Sequence, residues 1–293
     1  MQLKLRGLGV AMVTPFNEDG SIDYNGLTSL TNYLVEGGVD FLVVEGTTGE
    51  PATMSLKERQ NVLEHVKKIN AGRKPIVFGH GGNNTAALIE GFNDFDWNGV
   101  DAILVASPYY NKPTQEGIYQ HYKALNAVTP RPIILYNVPG RTASNISAAT
   151  TLRMANDFEN VIAIKEASGD LGQISQIIKS RPEGFAVLSG DDPLVVPHVS
   201  VGGEGVISVI GNVIPKTFSK MTHQALEGNY TEARKMHLQL LDAIDLLFVE
   251  GNPAGVKAAL KSKGIINDAV RLPLVKVSEG CYSALETELA GLN

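Results

Sequence analysis

Eight short apolar runs recur along the chain. They are GVAMV (9–13), FLVVE (41–45), PIVFG (75–79), AILVA (102–106), PIILY (132–136), VIAIK (161–165), FAVLS (185–189) and GVISV (205–209). Each is too short for an ordinary helix and is bounded by Gly, Pro, Asp or Asn, which reads as a strand. Apolar and polar residues scarcely alternate within them. A strand covered on both faces looks like this, so the pattern predicts a parallel sheet with helices on it.

The segments between the runs carry a helical period. Leu27, Leu30, Tyr33 and Leu34 fall at i, i+3, i+6 and i+7 and close on Gly37 and Gly38, a glycine C-cap. SLKERQNVLEHVKKI begins at Ser55 with Glu58 three residues on, the capping-box spacing. TQEGIYQHYKALNAV is another such segment. Eight strands each followed by a helix predict an α/β fold, a (β/α)8 TIM barrel. The competing arrangement is an open doubly wound sheet. It usually has fewer strands, and no GxGxxG follows the first run. A helix from about Pro215 would complete the barrel, and the rest reads as helical through YTEARKMHLQLLDAIDLLF and NPAGVKAALKSKG. The expected organisation is a barrel over 1–227 and a small C-terminal helical appendage over 228–293. With no Gly/Ser-rich linker between them, the appendage is expected to pack on the barrel.

Composition narrows the function classes. Hydrophobic residues make up 43% and charged residues 19%, which suits a globular core rather than disorder. The formal net charge of −6 argues against a general nucleic-acid binder, though not against a local basic pocket for a small anion. Cys281 is the only cysteine, so no disulfide forms within the chain and a cysteine metal site is implausible. His80 and the Asp191–Asp192 pair suggest a metal only until the missing HxH and HxxxH spacings are noted, so no metal is expected. MQLKLRGLGV carries no apolar core before a cleavage site, and no apolar run approaches the roughly 20 residues that span a bilayer. A soluble cytoplasmic protein is expected.

In such a barrel the chemistry sits where the strands end. That rule selects EGTTGE (45–50), SPYYNKP (107–113), YNVPGRT (136–142), Lys165 and SGDD (189–192). Lys165 closes a run that should be interior. An ordinary lysine there would reach water or pair with Glu166 or Asp170. A barrel-facing ammonium is costly unless paired or neutral, and a neutral amine adds to carbonyls to form a Schiff base. EGTTGE is either a plain glycine turn or a loop whose N–H groups and Thr47 and Thr48 hydroxyls hold a carboxylate or phosphate. Tyr136 is either a core tyrosine or a proton carrier, since a phenol both donates and accepts. Arg141 is either a surface charge or a bidentate carboxylate clamp. Tyr109 and Tyr110 more often pack or line an interface than react.

Taken together, VTPF, GTTGE, SPYYNKPTQEG, YNVPGRT, IKEASGD, LSGDD, GVISVIGNV and FVEGNPAGVKAAL, in that order, resemble the dihydrodipicolinate synthase / N-acetylneuraminate lyase family of pyruvate-dependent class I aldolases. The likeness covers nearly the whole chain and leans to the synthase branch. Arg141 stands where those members hold the carboxylate of L-aspartate 4-semialdehyde, the partner of pyruvate. The resemblance implies Lys165 as the Schiff-base lysine and Tyr136 as proton relay, with Thr47 linking it to a Tyr110 that crosses a dimer interface. It implies Thr48 and its loop on the pyruvate carboxylate, Gly190 lining the site, and the Ile207 carbonyl near the lysine. It implies no metal or organic cofactor, no membrane or nucleic-acid partner, and a homotetramer built as a dimer of dimers. A sugar-acid lyase of the same family, or a barrel that has lost catalysis, is the alternative. Feedback-inhibited members carry two histidines and a glutamate where this chain has Leu56, Arg59 and Ala87, so lysine inhibition is expected to be weak or absent. His80 has no reading from this resemblance.

Overall fold

Eight parallel strands close on themselves in chain order: β1 (Gly7–Ala11), β2 (Phe41–Val44), β3 (Ile76–Gly79), β4 (Ala102–Ala106), β5 (Ile133–Asn137), β6 (Val161–Glu166), β7 (Ala186–Ser189) and β8 (Gly205–Ser208). β1 pairs with β8, which shuts the barrel. The chain is seen in a computed structural model that describes residues 5–292. The expected (β/α)8 barrel is the observed fold.

The strands are apolar throughout because they face two cores. Alternate residues such as Val43, Val77, Leu104, Ile134, Ala163, Leu188 and Ile207 fill the barrel interior. Their neighbours Leu42, Phe78, Ile103, Leu135, Ile164, Val187 and Val206 pack outward against the helices. Strands buried on both faces lose the polar half of the two-residue period.

Most strand boundaries shift from the expected ones by a residue or two, and two of the shifts have a visible cause. β1 begins at Gly7 rather than Gly9, because its ladder starts opposite Gly205. A β-carbon on Gly205 would run into the Gly7 carbonyl, so the glycine at 205 is what lets the strands meet there. β2 stops at Val44, because Glu45 turns to φ 58 and leaves the ladder.

The expected helices form with their caps. Tyr24–Glu36 starts on Asp23, whose side chain accepts from the Gly26 N–H, and ends with Gly38 at φ 81. Leu56–Asn70 carries the full capping box between Ser55 and Glu58. Glu58 also pairs with Arg271, far along the chain. That hydrogen bond, with help from Ser55, draws the Glu58 carboxyl down to about 2. The folded value lies below the unfolded one, so the pair's stabilisation is present above about pH 4.5 and is lost as pH falls toward 2. Glu58→Gln should therefore lower stability at neutral pH by on the order of 1 kcal/mol. Urea melts at pH 7 and at low pH check this: the gap between variant and wild type should shrink on acidification.

Pro215–Leu226 follows β8, and Tyr230–Leu246 packs on it. Ala254–Ser262 lies against the 210–212 turn at the exit of β8. Glu279–Ala290 packs on both later helices. One apolar cluster runs from Leu8 through Phe218 and Leu240 to Leu285.

Candidate active site

The two-residue period of β6 decides where its polar end points. Ala163 faces the barrel interior, so Lys165 does too; Ile164 faces the helices, so Glu166 does too. Lys165 is only 5% exposed. It stands in register between Tyr136 of β5 and Leu188 of β7. Its Nζ lies 4.4 Å from the centre of the Tyr136 ring.

Neither ordinary partner engages Lys165. Glu166 accepts from Asn137 Nδ2 at 3.0 and 3.1 Å, from Gln173 Nε2 at 2.9 Å and from the Ser168 N–H at 2.8 Å. Burial raises its carboxyl above the usual range, against these hydrogen bonds. Asp170 caps the next helix by accepting from the Gln173 N–H at 3.0 Å. The acidic groups that feel the Lys165 charge are Asp191 and Asp192. Burial raises both carboxyls; the lysine charge opposes this at Asp191, and at Asp192 the hydrogen bonds from Ile210, Ser208 and Val209 oppose it more than the lysine does. Asp192 Oδ2 accepts from the N–H groups of Val209 and Ile210 at 3.0 and 2.8 Å, and so fixes the chain just after Ile207.

Gly190 follows β7, and its N–H donates to the Glu166 carbonyl at 2.7 Å. A β-carbon there would come within 2.6 Å of Ala167 Cβ and 3.0 Å of Lys165 Cε. The glycine is what leaves the lysine side chain its room. Ile207 is fully buried on β8, two strands from Lys165, with its side chain in the barrel interior.

The loop after β2 is a 3-10 turn, Thr47–Gly49. Thr14 Oγ1 donates to the Gly49 carbonyl at 2.7 Å, which ties this turn to the exit of β1. Thr48 is buried and accepts from Asn252 Nδ2 at 2.9 Å. Thr47 is exposed. Arg141 lies exposed on the short helical turn Pro139–Thr142 that leaves β5. Tyr110 follows β4 at φ 72 and is 87% exposed, so it is not packed into its own chain's barrel. The structure thus gathers Lys165, Tyr136 and Gly190, and sets Thr47, Thr48, Arg141 and Tyr110 on the loops of the same barrel end.

Two groups escaped the sequence reading, Asn252 and Lys257 of the C-terminal region, and no local period marks either. Asp192, weighed from the sequence only as half of a metal pair, instead braces the turn after β8. His80, left without a reading above, is a core ring: it packs on Phe92, Phe95 and Trp97, and its Nε2 meets the Leu88 carbonyl at 3.0 Å. Among the described residues no cluster of three or more His, Cys, Asp or Glu can hold a metal.

A buried lysine beside a phenol, at the C-terminal end of a barrel, suits imine chemistry. Comparison with known proteins agrees. A model of the dihydrodipicolinate synthetase family matches residues 4–291. A 4-hydroxy-tetrahydrodipicolinate synthase of Azobacteroides pseudotrichonymphae is 52% identical over 288 residues, 98% of this chain and 97% of that protein. One of Phocaeicola vulgatus is 51% identical over 275 residues, 94% of this chain and 93% of that protein. The crystal structure of dihydrodipicolinate synthase from Aquifex aeolicus superposes with a TM-score of 0.95 at 40% identity, covering 99% of this chain and 98% of that one.

Proposed function

This chain belongs to the dihydrodipicolinate synthetase family, and from that membership we infer its reaction: it condenses pyruvate with L-aspartate 4-semialdehyde to 4-hydroxy-tetrahydrodipicolinate. It is a lyase of lysine and diaminopimelate biosynthesis, working by class I, Schiff-base chemistry. The observation that carries this reading is Lys165 itself, buried on the interior face of β6 against Tyr136.

The residues divide the work as follows. The amine of Lys165 adds to the ketone of pyruvate, and loss of water leaves an iminium. The iminium draws electrons from the neighbouring methyl group, so loss of one proton gives an enamine. The enamine carbon attacks the aldehyde of the second substrate, and the aldehyde oxygen takes up a proton. The amine of that substrate then adds to the iminium carbon and displaces Lys165, which closes the ring. Each step moves a proton, which suits the Tyr136 phenol beside the lysine. Thr47 extends that relay toward Tyr110, contributed by a second copy of the chain. Thr48 and its loop hold the pyruvate carboxylate, and Arg141 holds that of the semialdehyde. Gly190 gives the lysine space, and the Ile207 carbonyl faces the reacting centre. No metal or organic cofactor enters the scheme. A homotetramer of paired dimers and a cytoplasmic site of action belong to the same reading. No helix among the described residues is long and apolar enough to cross a membrane.

A coupled assay tests the reaction: pyruvate with the semialdehyde should turn over, and pyruvate with sugar aldehydes should not. The reverse result would make the chain a sugar-acid aldolase. Added to the same assay, millimolar lysine should leave the rate essentially unchanged. Leu56 and Ala87 are exposed apolar side chains, and Arg59 is already engaged by Glu45 at 2.5 Å and the Gly79 carbonyl at 2.9 Å. Leucine and alanine give an ammonium or a carboxylate no polar contact, and two of the Arg59 nitrogens are already taken. Abolished activity would overturn this expectation.

A further inference from the structure

Lys257 is an anomaly in its helix. AGVKAALKS (Ala254–Ser262) is apolar around it, and its side chain is fully buried. Its Nζ lies 2.5 Å from Glu50 Oε1, donates to the Ala269 carbonyl at 2.9 Å, and sits 4.2 Å from the centre of the Phe16 ring. The second oxygen of Glu50 accepts from the Arg271 N–H at 3.1 Å. Both oxygens of this carboxylate are thus held by the C-terminal segment. Burial brings the Lys257 ammonium down to about 8 against the pull of Glu50, with the nearby Arg271 charge acting in the same direction as burial. A buried ion pair is a poor way to stabilise a fold, since apolar residues of the same size often do as well or better. What it does supply is a fixed geometry.

The geometry it fixes is that of the substrate loop. Glu50 stands at φ 58 between the 3-10 turns Thr47–Gly49 and Pro51–Thr53, so its position sets the orientation of the first. Two residues upstream, Thr48 accepts from Asn252 Nδ2 at 2.9 Å. A hydroxyl that accepts there keeps its own proton free to donate. Asn252 thereby gives Thr48 the polarity that a carboxylate ligand needs.

We propose that Asn252 and Lys257 are positioning residues for the keto acid: from the C-terminal helices they hold the 47–50 loop so that the Thr48 hydroxyl donates to its carboxylate. The inference rests on the reading of that loop as the pyruvate cradle. It gives residues beyond 228 a part in substrate binding.

The test is borohydride trapping of pyruvate on the intact enzyme, followed by mass spectrometry across a range of pyruvate concentrations. Asn252→Asp keeps the shape but can only accept, so it captures the Thr48 proton and adds a charge beside the carboxylate. Its half-saturating pyruvate concentration should rise about tenfold or more, with the final extent of labelling little changed. The double variant Glu50→Gln/Lys257→Met removes both charges together. It should melt close to wild type and still need severalfold more pyruvate. Half-saturation at the wild-type concentration in Asn252→Asp would overturn the proposal, whatever the melting temperature does. Should the double variant fail to fold, Asn252→Asp alone decides. An unlabelled wild-type protein would sink the pyruvate reading itself and the proposal with it.

Discussion

Replacing Lys165 with alanine is expected to cut turnover by on the order of 10⁴-fold or more, with the fold intact. In the proposed mechanism the Lys165 amine is the group that bonds to the ketone. Among the described residues the other buried lysine is Lys257, and its Nζ is already committed to Glu50 and the Ala269 carbonyl. Stability should change little: removing the amine relieves the cost of burying it, while Asp191 and Asp192 lose its favourable charge. Alanine is also the residue two positions earlier on the same face, at Ala163. Two measurements check this. Borohydride with pyruvate should add one reduced pyruvate to the wild-type protein at Lys165 and none to Lys165→Ala. Thermal melts should show the variant folded. Labelling of the folded wild type elsewhere, or turnover in the variant near the wild-type rate, would defeat the Schiff-base reading.

Arg141→Ala is expected to separate the two substrates. The guanidinium lies exposed at the exit of β5, so its loss should barely affect stability. As a fork that grips a carboxylate through two N–H groups, it should contribute a few kcal/mol to holding the semialdehyde, so its removal should lower kcat/KM for that substrate by about 10²-fold or more. Pyruvate labelling of Lys165 should proceed as before, because that step precedes entry of the semialdehyde. Arg141→Lys should recover only part of the loss, since an ammonium keeps the charge without the paired geometry. Steady-state rates at varied semialdehyde, run beside the trapping assay, distinguish the outcomes. A matched fall in both would mean that Arg141 acts on the barrel mouth as a whole.

Both predictions were within reach of the sequence because each residue stands at the end of a strand that could be read locally. VIAIK and PIILY are continuous apolar runs, and such a run means burial on both faces whatever surrounds it. Counting eight of them gave the barrel, and the barrel rule pointed to the residues after each run. The Ser55–Glu58 capping box was legible for the same reason: its partners are three residues apart. The start of β1 was set by a neighbour instead. Gly7 joined β1 because of Gly205, on the strand that closes the barrel.

Chain-local physics therefore determined the elements, their order and the lysine on the interior strand. Tertiary structure decided the pairings. Lys165 and Glu166 are adjacent in sequence, yet only the closed sheet shows that one faces the interior with Tyr136 while the other turns outward to Asn137 and Gln173. Lys257 reads as one more lysine of an apolar helix until the fold brings it 2.5 Å from Glu50, 207 residues away. Backbone hydrogen bonds and caps reach a few residues and leave a periodic mark. A side-chain contact between distant segments leaves none, because it exists only once the barrel has closed and the C-terminal helices have packed against its mouth.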